Sequence, residues 1–188
     1  MFDYCISEPI KEELSMNVLA FGASNSRESI NATLAAYAAG LVDNASVELL
    51  NIHDYELPIY SVEREKELGQ PALAREFFEK IGSSDAIIVS YAEHNGSYTA
   101  AFKNLFDWMS RINGKVYQSK PMLMLATSPG SGGAASVLAA ASSSAPYFSA
   151  DLKASISVPN FYANFDVSTN ELTNPHIKQE LQSAVDLL

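Results

Sequence analysis

The sequence predicts an α/β domain in which helices cover both faces of a parallel β-sheet. Five short apolar segments alternate along the chain with segments of helical character, and no repeat or low-complexity linker interrupts them. Because crossovers between parallel strands are right-handed almost without exception, this alternation winds helices onto both faces of one sheet. A length of 188 residues is enough for one good core and short of a comfortable two-domain size, so we expect a single domain over residues 1–188.

The predicted strands are short apolar runs. They are NVLAFG (17–22), VELLNI (47–52), DAIIVSYA (85–92), PMLMLAT (121–127) and LKASISV (152–158). The third of them, rich in β-branched residues, suits a strand covered on both faces. Helices are predicted between and after the strands, at about 28–42, about 71–82, from Ser97 onwards, about 132–145 and about 174–187.

The helix from Ser97 shows the clearest periodicity. Ser97 can cap its start, and a core face is predicted from residues at helical spacing, namely Phe102, Leu105, Phe106 and Met109. A second apolar stripe consists of Tyr98, Ala101, Leu105 and Trp108. Together the two stripes are wider than one contact surface requires, which suggests contact with a partner subunit.

Residues 1–15 mix charges with scattered apolar residues and have no period. They are consistent with an arm, an added short helix or an upstream extension. Met16 could be an alternative start.

Charge and composition narrow the class of protein. A formal net charge of −10 argues against nucleic acid or an anionic membrane surface as partner, because both repel the chain at long range. A single cysteine, Cys5, excludes an internal disulfide and a cysteine-ligated metal cluster. No apolar run approaches the ~18 residues of a membrane span, and the first residues lack the order of a secretory signal. We therefore expect a cytoplasmic protein.

Three loops at one edge of the predicted sheet are rich in Gly, Ser and Asn. They follow the first, third and fourth strands, and their sequences are GASNSRESIN (22–31), AEHNGSY (92–98) and TSPGSGGA (127–134). In open parallel sheets, ligands bind beyond the carboxyl ends of the strands, where the direction of winding reverses. The position of these loops therefore predicts a ligand site.

The first loop has the groups that bind a phosphate. Free backbone N–H groups at the helix start, with the hydroxyls of Ser24, Ser26 and Ser29, can surround an anion, and Arg27 supplies a nearby cation. The motifs G-x-x-x-x-G-K-[ST] and G-x-G-x-x-G are both missing, so a monophosphate fits better than a triphosphate or a dinucleotide. Alternatively, these residues only turn the chain and cap the helix.

The second and third loops bring backbone groups close to a ligand. Gly96 allows a close approach that a Cβ forbids, and His94 either contacts the ligand through its ring or fills the turn. The third loop places three glycines, Gly130, Gly132 and Gly133, before a helix of Ala and Ser, where they offer several N–H donors. A plain strand-to-helix turn is the alternative for this loop.

The remaining polar residues predict neither a metal site nor a catalytic side chain. No second ligand stands at a convincing spacing from His94, and the spacings support neither a Ser-His-Asp arrangement nor paired catalytic carboxylates. We expect His53 and His176, in connecting or terminal regions, to be solvated.

A long connection follows the second strand, from Asn51 to Pro71. Its segment 57–60, Leu-Pro-Ile-Tyr, is too apolar for a purely solvated loop, and long loops in compact domains often bind ligands. Tyr60 could therefore cover a ring system or contact a partner subunit. The adjacent charge run EREKE is better explained as a solvated helical turn.

Taken together, the three loops resemble the NADPH-dependent FMN reductase family, flavodoxin-like enzymes that include quinone, azo-dye and metal-oxyanion reductases. The resemblance covers roughly residues 17–160. Family members usually carry G-S-x-R-x-x-S-x-N in the first loop and P-E-Y-N-G-S followed by L-K-N-x-x-D-W in the second. The matching residues are Ser24, Ser29, Asn31, Glu93, Asn95, Gly96, Ser97, Lys103, Asn104, Asp107 and Trp108. The departures are Ala23 for glycine, Ser26 for arginine, Ala92 for proline and His94 for tyrosine, with Arg27 one residue along from the expected arginine.

The resemblance implies a flavodoxin-like three-layer α/β/α sandwich, with a five-stranded parallel sheet in the order 2-1-3-4-5. It also implies FMN as cofactor and NADPH or NADH as co-substrate. The FMN phosphate would be held by Ser24, Ser26, Ser29, Ile30 and Asn31, with Arg27 assisting or meeting the NADPH phosphates. The flavin ring would be lined by Ala92, Glu93, His94, Asn95 and Gly96. Its pyrimidine end would lie near Ser128, Pro129, Gly130, Gly132 and Gly133.

The implied reaction is hydride transfer from NAD(P)H to flavin N5, followed by two-electron transfer to a flavin, quinone, azo compound or similar small acceptor. The flavin supplies this chemistry, so no side-chain acid or base is obligatory. The family's usual homodimer, or dimer of dimers, would place the helix with Tyr98 and Trp108 near the subunit contact.

Two other functions remain open at this point. A flavodoxin-type FMN electron carrier suits the acidic charge, which favours docking to basic proteins, although the T-x-T-G-x-T phosphate loop of flavodoxins is missing. A cofactor-free flavodoxin-like regulator is suggested by the four departures from the family motifs.

Overall fold

The structure is a computed structural model that describes residues 15–188. The predictions for Cys5 and for the N-terminal arm lie outside these residues, apart from Ser15. The strands are β1 (Met16–Ala23), β2 (Ala45–Asn51), β3 (Ala86–Tyr91), β4 (Glu93–His94), β5 (Ser97–Tyr98), β6 (Pro121–Thr127), β7 (Asp151–Val158), β8 (Phe165–Asp166) and β9 (Glu171–Leu172).

The helices are α1 (Ile30–Ala39), α2 (Val62–Leu68), α3 (Ala72–Ser83), α4 (Ala100–Ile112), α5 (Ala135–Ser144), α6 (Phe161–Asn164) and α7 (Pro175–Val185). Two 3-10 turns cover Ile52–Tyr55 and Ala145–Phe148. The predicted ends of the main elements differ from the observed ends by no more than three residues. The charge run EREKE lies in α2, which has no buried residue, so the prediction of a solvated helical turn is confirmed. Within residues 15–188, no helix combines the length and the apolar character needed to cross a membrane.

The five long strands form one parallel sheet in the order β2-β1-β3-β6-β7. This order confirms the expected flavodoxin-like topology. Ala23 pairs with Tyr91, and Tyr91 pairs with Ala126, so β1, β3 and β6 end at the same level. The loops that follow them therefore leave the sheet side by side, as its topology requires of a site at the carboxyl edge.

Helices cover the two faces of the sheet and complete a three-layer sandwich. On one face, α3, α4 and α5 bury Phe77, Phe102 and Val137. On the other face, α1 and α7 bury Leu34 and Leu181. Removal of this apolar surface from water is the main favourable term in folding.

The edge strand β2 is not covered on both faces. Leu49, which has the same sheet orientation as Ala20, is 58% exposed. The reason is that α1 lies over β1, β3 and β6 and makes few contacts with β2. Only the central strands are buried on both sides. The sequence predicts this for β3, and all six of its residues are buried.

The region after β3 differs from the prediction. Strands β4 and β5 form a short antiparallel hairpin, whose tip residues Asn95 and Gly96 have φ angles of 53° and 78°. Positive φ at both positions is the requirement of a type I′ turn, which Asn-Gly meets more readily than other pairs. Ser97 is therefore a strand residue, and the prediction that it caps α4 is wrong. Thr99 is the cap, and its side chain accepts a hydrogen bond from the Phe102 N–H.

The second apolar stripe of α4 also needs correction. Trp108 is fully buried within the chain, and its indole N–H donates to the carbonyl of Pro58 at 2.8 Å. Leu105 is buried as well. These two residues are covered by their own chain, so the excess apolar surface of α4 that we assigned to a partner subunit is smaller than predicted.

Close packing brings the start of α1 over the end of β1. A Cβ placed on Gly22 would lie 2.7 Å from the Cα of Ala32, closer than two such atoms approach in proteins. Glycine at this position therefore lets α1 begin directly above the sheet edge. The Ser29 side chain caps the helix by accepting from the Ala32 N–H at 3.2 Å.

Candidate functional site

The three loops meet in one shallow, open cavity of about 260 Å³ at the carboxyl edge of the sheet. It is lined by Ser24, Ser26, Glu28, Ser29, Ile30, Asn31, Ala92, Glu93, His94, Thr127, Ser128, Pro129 and Tyr162. Ten of these residues are among those named from the sequence. A volume just below the usual range for ligand pockets suits one end of an elongated ligand, with the rest at the rim.

The first loop presents unpaired backbone donors to this cavity. Within residues 15–188, no hydrogen bond uses the backbone N–H of Ile30 or of Asn31, the first two residues of α1. The Ser24 hydroxyl accepts from the Ser26 N–H at 3.2 Å, and its own proton remains available to donate. Ser24 and Ser29 are nearly buried. Such a set of neutral donors at a helix start could hold a phosphate.

Arg27 is turned away from the cavity. Its Nε and Nη2 lie 3.2 and 2.8 Å from Nε2 of His53, in the connection after β2. His53 is half-buried and its contact with Arg27 is exposed, so our expectation that it is solvated is confirmed only in part. The cavity lining includes the carboxylates of Glu28 and Glu93 and contains no Lys or Arg among the residues described. An anion held there would therefore depend on neutral donors.

Asn31 is occupied by structural contacts. Its Oδ1 accepts from the Ser90 hydroxyl at 2.7 Å and from the Thr127 N–H at 3.0 Å, and its Nδ2 donates to the Thr127 carbonyl at 3.1 Å. All three residues are buried. The side chain thus ties α1 to β3 and β6, and the backbone N–H is the donor of Asn31 that no hydrogen bond within residues 15–188 uses.

The second loop is held in place by Glu93. Its Oε2 accepts from the Val137 N–H at 2.9 Å, near the start of α5, where a carboxylate is favoured by the free N–H groups and the helix dipole. The hairpin is therefore fixed against the third-loop helix. His94 lies exposed at the cavity rim, and His176 is exposed, as expected. Asn95 and Gly96 form the hairpin tip and do not line the cavity.

The glycines of the third loop have different surroundings. Gly130 and Gly132 are exposed with open space around them, and neither lines the cavity. Gly133 is buried, with φ of 58°, and a Cβ there would overlap the Ser157 hydroxyl oxygen. The lack of a side chain at Gly133 therefore lets the third loop pack against β7. In this loop the cavity is lined by Thr127, Ser128 and Pro129 instead.

Three lining residues were not selected from the sequence, namely Glu28, Thr127 and Tyr162. Glu28 and Thr127 lie inside the loops that we identified, so their positions were the available signal. Tyr162 lies in α6, a single turn that no periodicity predicts.

Two buried tyrosines, at the end of β3 and in the connection before β6, show no sign of acid–base function. The hydroxyls of Tyr91 and Tyr117 lie 3.2 Å apart, both buried. Burial raises the pKa of Tyr91 well above its ordinary value, and burial likewise raises the pKa of Tyr117. Both therefore stay neutral at physiological pH. Within residues 15–188, no group of three His, Cys, Asp or Glu side chains is arranged to hold a metal ion.

The apolar segment 57–60 is clamped to α4 beside the site. The Asn104 Nδ2 donates to the Leu57 carbonyl at 3.1 Å, and its Oδ1 accepts from the Tyr60 N–H at 2.8 Å. The Tyr60 ring packs edge-on against Trp108, with ring centroids 5.1 Å apart. The matching family residues Asn104 and Trp108 therefore position this segment.

The chain is similar in sequence to proteins named as reductases. The chain is similar to an NAD(P)H-dependent FMN reductase of Pseudomonas aeruginosa, with 33% identity over 64% of this chain and 64% of the relative. It is 31% identical to a 2-hydroxy-1,4-benzoquinone reductase of a Burkholderia species, over 65% of this chain and 66% of that protein. Both alignments thus span slightly less than two thirds of the relative's length.

Among solved structures, the flavoenzyme NAD(P)H:(acceptor) oxidoreductase FerB from Paracoccus denitrificans superposes with a TM-score of 0.70 and 26% identity. The superposition covers 91% of this chain and 93% of that one. The family model described as NADPH-dependent FMN reductase matches residues 16–161, which include all three loops and the five-stranded sheet. The chain therefore belongs to the NADPH-dependent FMN reductase family.

Proposed function

We propose that this protein is an NAD(P)H-dependent FMN reductase-type oxidoreductase that passes two electrons to a small acceptor. The observation that carries the proposal is the cavity at the sheet edge, where neutral donors of the first loop meet the hairpin and the third loop. The donor set fits a phosphate monoester, because two helix-start N–H groups and several hydroxyls converge there. The similarity to an NAD(P)H-dependent FMN reductase and to a benzoquinone reductase supports the same activity.

The residues of the chain would bind and orient the cofactor. Ser24, Ser26 and Ser29, with the N–H groups of Ile30 and Asn31, would hold the FMN phosphate. The hairpin fixed by Glu93 would present Ala92 and His94 to the ring system at the cavity rim. FMN, when bound, supplies the redox chemistry, which is hydride acceptance from NADPH or NADH and return of two electrons to the acceptor.

Other residues named from the sequence take less direct roles in this proposal. Asn95 and Gly96 at the hairpin tip, and Gly130 and Gly132 in the third loop, would lie at the outer edge of the ring system. Arg27 would serve the co-substrate phosphates better than the FMN phosphate, because His53 holds its guanidinium outside the cavity.

Quinones, azo compounds and free flavins are the proposed acceptors, and the cytoplasm, where NADPH and NADH are available, is the proposed compartment. The test is oxidation of NADPH, and then NADH, by the purified protein with FMN and a benzoquinone, followed at 340 nm. We expect catalytic turnover that depends on added quinone. An electron carrier would bind FMN and show no such turnover, and a cofactor-free regulator would fail to bind FMN.

We also propose that the chain forms a homodimer or homotetramer through the surface of α4 and α5. A cavity of about 310 Å³ lies between these helices, with five aromatic rings in its walls. Tyr98 of the hairpin belongs to the same wall. A second copy seated there would adjoin the loop that lines the proposed flavin site. This surface replaces the stripe with Trp108, which is buried within the chain.

A charged substitution in this groove is expected to shift the protein towards monomer. Ala140 is exposed in α5 and lines the groove, and Lys103 of the groove is already paired with Asp107. Ala140→Glu would therefore bury a carboxylate against apolar rings in the assembly. Light scattering after size-exclusion chromatography would show the lower mass. Ala139→Glu, exposed on the same helix and outside the groove, is the matched control. An unchanged mass in Ala140→Glu would argue against this interface.

A further inference from the structure

The cavity has one aromatic wall that the family motifs do not cover. Tyr162, in the short helix α6 beside the third loop, lines the cavity together with residues of the first loop and is 65% exposed. Within residues 15–188, no intramolecular hydrogen bond uses its hydroxyl. Its ring packs edge-on against Phe161, with ring centroids 5.4 Å apart, and most of the side chain, including the hydroxyl, remains available to a ligand.

The backbone that carries Tyr162 is fixed to the third loop. The Asn160 N–H donates to the Gly130 carbonyl at 2.9 Å, and the Phe161 N–H donates to the Ser128 carbonyl at 3.0 Å. Phe161 is fully buried and stacks on Phe165, with ring centroids 4.8 Å apart. The Cα of Tyr162 is thus anchored by its neighbours, so that ordering its side chain on a ligand requires only side-chain rotation.

The charge of the cavity favours a phenol as a phosphate donor. Among residues 15–188, the lining contains the carboxylates of Glu28 and Glu93 and no Lys or Arg, and Arg27 is bound to His53 elsewhere. A phenolic O–H donates to a phosphate oxygen without requiring a charged partner. A hydrogen bond to a charged group is also stronger than one between neutral groups. A neutral donor in the wall of the same cavity as Ser24 and Ser29 would add to the first-loop set.

We infer that Tyr162 is a specificity-determining residue, whose hydroxyl donates to the cofactor phosphate and thereby favours FMN over riboflavin. The inference rests on the proposed function, because it takes FMN as the ligand of this cavity. It goes further by assigning a phosphate donor that lies outside the three loops and outside residues 16–161 matched by the family model.

The test compares FMN with riboflavin, which lacks the phosphate, by titration of flavin fluorescence against flavin-free protein. Tyr162→Phe removes one exposed oxygen, so folding is expected to be unaffected. We expect its affinity for FMN to fall about tenfold, the usual effect of losing a hydrogen bond to a charged group, and its affinity for riboflavin to stay the same. Tyr147→Phe, at an 86% exposed tyrosine outside the cavity, is the matched control.

The other outcomes overturn the inference in distinguishable ways. If Tyr162→Phe binds FMN as tightly as the unmodified protein, the hydroxyl does not contact the phosphate. If Tyr162→Ala weakens FMN and riboflavin equally while Tyr162→Phe changes neither, the ring packs on a part common to both flavins. If the unmodified protein binds neither flavin, the proposed function itself fails, and the Tyr162 assignment falls with it.

Discussion

Replacing Ser24 with aspartate is expected to abolish FMN binding at micromolar protein concentrations. Ser24 is 6% exposed and lies in the first-loop wall of the cavity, with its hydroxyl oxygen 3.2 Å from the Ser26 nitrogen. A carboxylate there would stand a few ångströms from the cofactor phosphate. At about 4 Å and an effective dielectric constant near 20, two like unit charges repel by about 4 kcal/mol, roughly a thousandfold in affinity. Flavin fluorescence titration measures the loss.

Two comparisons separate charge repulsion from a change of shape. Ser24→Asn introduces a side chain of the same size without the charge, and should weaken FMN binding much less than Ser24→Asp. Riboflavin carries no phosphate, so Ser24→Asp should weaken the binding of riboflavin by a smaller factor than the binding of FMN. Equal losses for the two flavins, or equal effects of Asp and Asn, would show that Ser24 does not face the phosphate.

The fold could be predicted from the sequence because its strands and helices are long and regular. β3 and β6 are mainly apolar, with Ser90 and Thr127 as the polar exceptions, and their burial follows from that composition. The strand order depended on the family resemblance, since apolar runs alone do not specify which strands are neighbours. The hairpin of β4 and β5 was missed because two-residue strands have no period, and the helical spacing of Tyr98 and Ala101 extended the helix pattern backwards across it.

The candidate site could be predicted at the level of loops and less well at the level of side chains. The carboxyl edge of a parallel sheet brings certain loops together whatever their sequences. The direction of Arg27, however, depends on His53, 26 residues later in the chain. The role of Gly133 depends on Ser157, and α6 becomes part of the site only through its backbone hydrogen bonds to the third loop. Such tertiary contacts leave no local pattern.

The tertiary contacts of Asn31 also leave no local pattern in the sequence. Its replacement gives the second large expected effect. Asn31→Ala should lower the free energy of unfolding by about 3–5 kcal/mol, since it removes three buried hydrogen bonds and leaves the Ser90 hydroxyl and the Thr127 backbone without their partner. A buried group left unsatisfied costs about 1–3 kcal/mol. Against a total stability of roughly 5–15 kcal/mol, this loss is large. Urea unfolding of the flavin-free protein, followed by circular dichroism, measures it.

Unfolding of the flavin-free protein distinguishes a structural role of the Asn31 side chain from a role in phosphate binding. If its side chain were chiefly a phosphate ligand, Asn31→Ala would leave the unfolding midpoint of the free protein unchanged and weaken only FMN binding. If it ties α1 to β3 and β6, as its contacts indicate, the midpoint falls before any flavin is added. Asn25→Ala, an exposed asparagine of the same loop, should change the stability by less than about 0.5 kcal/mol and provides the control.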